Sequence, residues 1–371
     1  MQSNREVLDY LFETGQIDLR RGAIFDRPPH PLPADLDFDR VEGMLLGLAI
    51  GDALGNTSES LLPERRRARH GEIRDYLPNP YAGGQPVGLP SDDTQLAFWT
   101  LEQMLADGGF NPEHVAARFC RGQIFVVGRA VASFVDCYRA GGRAWYACGP
   151  ESAGNGALMR IAPMLVPHLR SATAELWVDT ALSAMITHND AGSIACCLAF
   201  VAMLWRLLGM QGAPQPGWWL ETYVEVARDL EGDKTYRPRG GPLVGYRGSL
   251  WRFVEKHVSD AYARGLSVLE ACREWHSGAY LLETMPSVIT ILMRHGHELE
   301  QGMLRAVNDT KDNDTIAAIV GAALGALHGE AGLPARWLAN LPGRTAHDDD
   351  GHIYALLEGA RHAWGAARSD L

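Results

Sequence analysis

Glycine recurs at every fourth position in Gly43-Met44-Leu45-Leu46-Gly47-Leu48-Ala49-Ile50-Gly51-Asp52-Ala53-Leu54-Gly55. Met44, Leu45, Leu48, Ala49 and Ala53 follow i, i+3, i+4 spacing, which predicts a helix. Each glycine inside a helix costs ~1 kcal/mol relative to alanine. Four on one stripe therefore point to a steric need: another helix must approach this one backbone to backbone.

Similar apolar stripes occur at 94–106, 112–120, 127–139, 173–187, 193–208, 219–230, 260–274, 279–293, 315–328 and 353–366. No alternating run bounded by hairpin turns accompanies them. The expected fold is all-α, one compact helical body over 39–371 preceded by an extension, 1–38. In the extension, Ser3-Asn4-Arg5-Glu6 has the form of a capping box, with Val7, Leu8, Leu11 and Phe12 at helical spacing behind it. Arg27-Pro28-Pro29-His30-Pro31-Leu32-Pro33 then forms a stiff extended tether. Such an arm either packs on its own body or reaches a partner, and both options stay open. Residues 231–248, rich in Gly, Pro and Arg, read as a long surface loop.

The 371 residues carry 34 basic and 45 acidic side chains, a net charge of −11. Binding to nucleic acid or to an anionic membrane needs a basic face, so neither partner is expected. The longest apolar run, Ala191 to Trp205, ends at Arg206. It is shorter than the ~20 residues a bilayer requires and reads as a core helix. Charges at Arg5, Glu6, Asp9, Glu13 and Asp18 leave no apolar leader segment, so the expected location is the cytoplasm. The six cysteines form no CxxC pair and read as reduced, mostly buried thiols.

Two helix starts carry similar polar clusters. Ser91-Asp92-Asp93-Thr94 precedes one helix and Asp312-Asn313-Asp314-Thr315 precedes another. Each by itself is ordinary capping chemistry. If the two starts face each other, however, four carboxylates and two hydroxyls converge. Such a group needs cations to relieve its repulsion and would suit a two-metal site. Gly154-Asn155-Gly156 offers bare backbone to an anion. Thr187-His188-Asn189-Asp190 ends one helix and precedes the next. His347-Asp348-Asp349-Asp350-Gly351-His352 reads as a solvated loop capping the last helix.

Taken together and in this order, GLAIGDALG with Glu59 after it, SDDTQ, GNGALMR, THN and DNDTIAAIVGAALGALHG resemble the ADP-ribosylglycohydrolase family, over about Val41 to Gly329. The resemblance implies an all-α body that binds two Mg²⁺ (Mn²⁺ in some members) and cleaves ADP-ribose from a modified protein side chain, often arginine. It implies that Ser91, Asp92, Asp93, Asp312, Asp314 and Thr315 are metal ligands. Gly154, Asn155, Gly156 and His188 would lie along the substrate. Asp92 or Asp93 would be the base, with Glu59 assisting. Thr310-Lys311 stand where the family commonly has Gly-Gly. Similar proteins serve as immunity factors against ADP-ribosyltransferase toxins, which makes such a toxin a candidate partner. In the alternative reading the chain is a binding protein that blocks a transferase through its extension. An isoprenoid synthase is disfavoured, because Leu96 occupies the third position of a DDxxD motif.

Overall fold

The computed structural model describes residues 2–59 and 61–365; Ala366, counted in the last stripe, and the rest of 366–371 lie outside them. The extension supplies α1 (Asn4–Glu13). The body follows with α2 (Asp39–Gly55), α3 (Pro63–His70), α4 (Asp92–Asp107), α5 (Pro112–Phe119), α6 (Arg129–Arg139), α7 (Glu175–Thr187) and α8 (Ala191–Leu208). It continues with α9 (Pro216–Leu230), α10 (Leu250–Ala263), α11 (Val268–Trp275), α12 (Leu281–His295), α13 (Leu299–Asp309), α14 (Asn313–His328), α15 (Ala335–Leu338) and α16 (His352–Trp364). The described residues hold no strand, only isolated bridges such as Gly154 with Tyr280. The fold is all-α, as expected.

The glycine stripe explains the central contact. A Cβ on Gly47 would overlap the carbonyl of Gly321, and one on Gly51 would overlap the carbonyl of Ala317. In return, side chains at Gly321 and Gly325 would overlap the backbone of Gly47 and Gly43. Helices α2 and α14 therefore lie backbone against backbone, and nearly all of both is buried. Helix α8 is long and apolar enough to cross a bilayer by composition alone, yet it is 94% buried inside the body, between α7 and α9.

The extension packs on its own body. Its capping box forms as read. Leu8, Leu11 and Phe25 are buried, and Asn4 donates to Asp179 Oδ1 (2.7 Å) and to the Phe110 carbonyl (2.9 Å). The proline tether is fastened by two indoles: Trp177 donates to the Arg27 carbonyl (2.9 Å) and Trp205 to the His30 carbonyl (2.7 Å). These carbonyls have no competing helical partner, because proline cannot continue a helix.

Three expectations need correction. The stripe at 260–274 joins the last turn of α10, whose first ten residues lie before it, to α11, the two separated at Gly265 and the second started by a capping box of Ser267 and Glu270. Helices α3 and α13 were not expected. Arg66 is the sole buried side chain of α3, so no apolar stripe marks it, and Gly302 interrupts the stripe of α13. Cys137 and Cys148 are joined as a disulfide, not held as separate thiols, since α6 and the turn after it bring their Cα atoms to 5.5 Å. Cys120, Cys196, Cys197 and Cys272 are free.

Candidate active site

Helix α4 begins at the first acidic cluster. Ser91 is its N-cap and accepts from the Asp93 amide (3.3 Å), while its hydroxyl donates to Asp93 Oδ2 (3.1 Å). A second anchor comes from α2. Asp52 Oδ2 accepts from the Ser91 amide (2.9 Å), the Thr94 amide (3.2 Å) and the Thr94 hydroxyl (2.5 Å), and Asn56 holds its other oxygen at 3.0 Å. Burial raises the Asp52 carboxyl, while these donors work in the opposite direction by favouring its charged form.

The second cluster starts α14. Asp312 occupies the N-cap position but makes no side-chain capping bond. Its carboxylate instead accepts from Asn155 Nδ2 (2.6 Å), and that amide also donates to Thr284 (3.1 Å). The departure from ordinary capping separates this cluster from a structural helix start. Arg66, fully buried, ties the end of α13 and the loop after it to the chain before α3 through the carbonyls of Val307 (3.0 Å), Thr310 (2.7 Å) and Leu61 (2.8 Å). In place of a Gly-Gly turn, Lys311 is held by Ser277 and His276 (3.0 and 2.9 Å), and both of these take left-handed backbone, φ +40° and +76°.

The two helix starts face each other. Thr315 donates its hydroxyl to Asp93 Oδ2 at 3.3 Å, and a Cβ on Gly55 would overlap the backbone of Asp314. Carboxylate oxygens of Asp52, Asp93 and Asp314 lie within 4.8 Å of one another, as do those of Glu59, Asp312 and Asp314. Asp314 belongs to both groups. Asp93 Oδ1 and Asp314 Oδ1 are buried without a hydrogen-bond partner.

Burial, reinforced by neighbouring carboxylates, pushes Asp312 up to about 7 and Asp92 up to about 8, with Asp93 and Asp314 displaced strongly in the same direction. Buried like charges at this range require protons or cations. A set of hard oxygen donors with two partnerless carboxylate oxygens fits divalent cations.

Gly154 and Gly156 press on His188; a Cβ on Gly156 would come to 2.9 Å from its ring. Burial, and then the charge of Arg160, lowers His188 to about 3, so its imidazole is neutral. Arg160 donates to Thr187 (2.9 Å) and to the Ser183 carbonyl (2.9 Å), fixing the end of α7.

All eleven residues singled out in the sequence (Glu59, Ser91, Asp92, Asp93, Gly154, Asn155, Gly156, His188, Asp312, Asp314 and Thr315) line one cleft of about 1060 Å³. Sequence reading assigned no role to Asp52, although a lone acid inside an apolar stripe was a visible signal. It also missed Arg66, which nothing distinguishes among Arg65, Arg66 and Arg67. Gln95 was missed as well: it clamps the loop before α6 by accepting from the Phe125 amide (2.8 Å) and donating to the Gln123 carbonyl (3.1 Å). The 347–352 segment is a turn, in which Asp349 accepts from the amides of Thr345 (2.7 Å) and Ala346 (2.8 Å).

Comparison with known proteins bears on the same site. The family model described as ADP-ribosylglycohydrolase matches residues 33–366. The chain is 28% identical to the ADP-ribosylarginine hydrolase Tri1 of Pseudomonas putida, over 81% of this chain and 73% of that one. It is 25% identical to the ADP-ribosyl-dinitrogen reductase glycohydrolase of Rhodospirillum rubrum, over 86% and 96%. Among solved structures, one titled as an ADP-ribosylglycohydrolase-related protein complex matches with a TM-score of 0.61 and 26% identity, covering 89% of this chain and 99% of that one. The chain belongs to the ADP-ribosylglycohydrolase family and is an enzyme of that class.

Proposed function

We propose that this glycohydrolase removes ADP-ribose from modified arginine side chains of proteins and works with two divalent cations, Mg²⁺ or Mn²⁺. The observation that carries the reading is the sharing of Asp314 between two three-carboxylate groups, with partnerless oxygens on Asp93 and Asp314. Asp93 and Asp314 would hold one cation, and Glu59, Asp312 and Asp314 the other, with the hydroxyls of Ser91 and Thr315 alongside. When bound, the cations supply positive charge and Lewis acidity to ribose hydroxyls and water.

The remaining roles fall to the protein. Asp92 acts as base: its Oδ2 is fixed by the Gly128 amide (3.1 Å), and cations bound beside it would favour its charged form against the burial that raises it. Glu59, exposed at the cleft, assists. The Gly154–Gly156 backbone admits the diphosphate closely, and neutral His188 orients the sugar without repelling a cation. The arginine linkage is supported by the name of the Pseudomonas relative.

The test is release of ADP-ribose from arginine-modified protein in Mg²⁺ or Mn²⁺, beside serine-linked and carboxylate-linked substrates. Asp93→Ala abolishes release. Release only from another linkage overturns the arginine assignment, and no release with either metal overturns the whole reading.

Reversal of a transferase also makes the chain an antidote to an ADP-ribosylating toxin, and protection of transferase-expressing cells is then lost in Asp93→Ala. Blocking by the arm is the second reading. Deleting residues 2–38 would uncover the core that Leu8, Leu11 and Phe25 fill, so the cleaner probe is the exposed Tyr10. Protection that survives Asp93→Ala and is lost in Tyr10→Asp favours the blocker.

A further inference from the structure

The cleft has an acidic floor and a basic rim. Asp92, Asp93, Asp312 and Asp314 on the floor are each at most 8% exposed. Arg69, Arg129 and Arg239 line the same cleft and are exposed. They come from three separate places: the end of α3, the start of α6 and the 231–248 loop. Arg239 is spoken for, since it pairs with buried Glu283 (3.3 Å) and stacks over Tyr280 (4.6 Å). Among the described residues, Arg69 and Arg129 have no carboxylate within ion-pair distance. Arg65 and Arg67 beside Arg69 are exposed too, and α3 carries four arginines and a histidine in eight residues.

The fold accounts for only part of this. Arg69 lies at a helix C-terminus, where the dipole favours a cation. Arg129 is the first residue of α6, where the dipole disfavours one. Two apolar side chains stand out on the same rim. Tyr81 is 84% exposed and Val126 is 72% exposed. Val126 takes left-handed backbone, φ +43°, which is costly for a β-branched residue. Its neighbours are clamped by Gln95 and Asp92, so the fold holds this apolar tip outward. Arginine and tyrosine are enriched in protein interfaces, and an unpaired cation on a chain of net charge −11 selects for opposite charge.

We propose that the rim formed by Arg69, Arg129, Tyr81 and Val126 is a docking surface for an acidic segment flanking the ADP-ribosylated side chain, so that the enzyme selects its protein substrates by local negative charge. The inference rests on the reading that the substrate is a modified protein. The chain's net charge of −11 disfavours an acidic partner at long range, so local attraction at the rim also orients the encounter.

The test uses three probes: free ADP-ribosylarginine, and two ADP-ribosylated arginine peptides of equal length flanked by Asp/Glu or by Lys. The wild-type enzyme prefers the acidic peptide by about tenfold in kcat/KM at low salt, through KM, and the gap closes at high salt. Arg69→Glu with Arg129→Glu reverses the preference and leaves release from free ADP-ribosylarginine unchanged. No preference, or one that the substitutions do not move, overturns the proposal. An equal loss on free ADP-ribosylarginine assigns the arginines to the nucleotide and overturns it too. Peptide binding read by fluorescence anisotropy needs no turnover. Acidic preference in binding without release keeps the docking surface and sinks the proposed activity instead.

Discussion

Thr315 donates its hydroxyl to Asp93 across 3.3 Å, joining two helix starts that lie 222 residues apart in the chain. Helix α2 underlies this contact: Asp52 near its end holds α4, and Gly55 rests on the backbone of Asp314 at the start of α14. One helix thus sets the distance between the two ligand groups.

The glycine stripe should be intolerant of even one methyl group. Gly47→Ala pushes a Cβ into the carbonyl of Gly321, and a backbone atom on a packed helix has nowhere to go. The expected loss is about 1–3 kcal/mol, more than alanine's gain in helix propensity. Gly212→Ala meets nothing within 4 Å and should stay within about 0.5 kcal/mol of wild type. Chemical denaturation of both variants checks the contrast.

Asp314→Asn removes the carboxylate common to both groups. In EDTA this variant should be as stable as wild type or more so, because a buried like-charge contact is gone. Divalent metal at 100-fold over its Kd should stabilise wild type by about 2.7 kcal/mol and the variant hardly at all. Thermal unfolding with and without Mg²⁺ or Mn²⁺ separates the two effects.

Metal affinity should rise with pH. In the metal-free enzyme Asp312 holds its proton up to about 7, and a cation must displace it. Isothermal titration across that range should show tighter binding and fewer protons released at the upper end. An affinity independent of pH would place the cation on other ligands.

Asp52→Asn tests the anchor. An amide keeps one acceptor but sets a donor against Asn56 or against Ser91 and Thr94. A buried donor left unmatched costs about 1–3 kcal/mol. The start of α4 should loosen, with weaker metal binding and lower kcat, while Thr94→Ser restores little because its hydroxyl was never missing.

Glu231 should give stability a pH slope unrelated to catalysis. Burial pushes its carboxyl up to about 7, against the amides of Trp251 (2.8 Å) and Leu250, which favour the charged form. The folded state therefore binds this proton more tightly than the unfolded chain does. The stabilisation is present in full below the ordinary glutamate range and is lost as pH rises to about 7. Glu231→Gln should flatten that slope in denaturation curves measured across the interval.

Much of the molecule was legible in one dimension because its signals are local. Apolar spacing marks most helices, the capping box of Ser3 and Glu6 forms as written, and a glycine at every fourth position demands a backbone neighbour whatever that neighbour is. Where the local signal was absent or ambiguous, sequence reading failed, as in the arginine-rich α3 and the split at Gly265. Tertiary structure alone decided which helix meets the glycine stripe, that the arm packs on its own body, and that Asp314 is shared by two carboxylate groups. Asp312 and Ser91 look alike as helix starts, yet only the fold turns Asp312 away from capping and toward Asn155. Periodicity is a property of neighbouring residues, whereas the convergence of charges and the cost of burying them depend on packing between segments hundreds of residues apart.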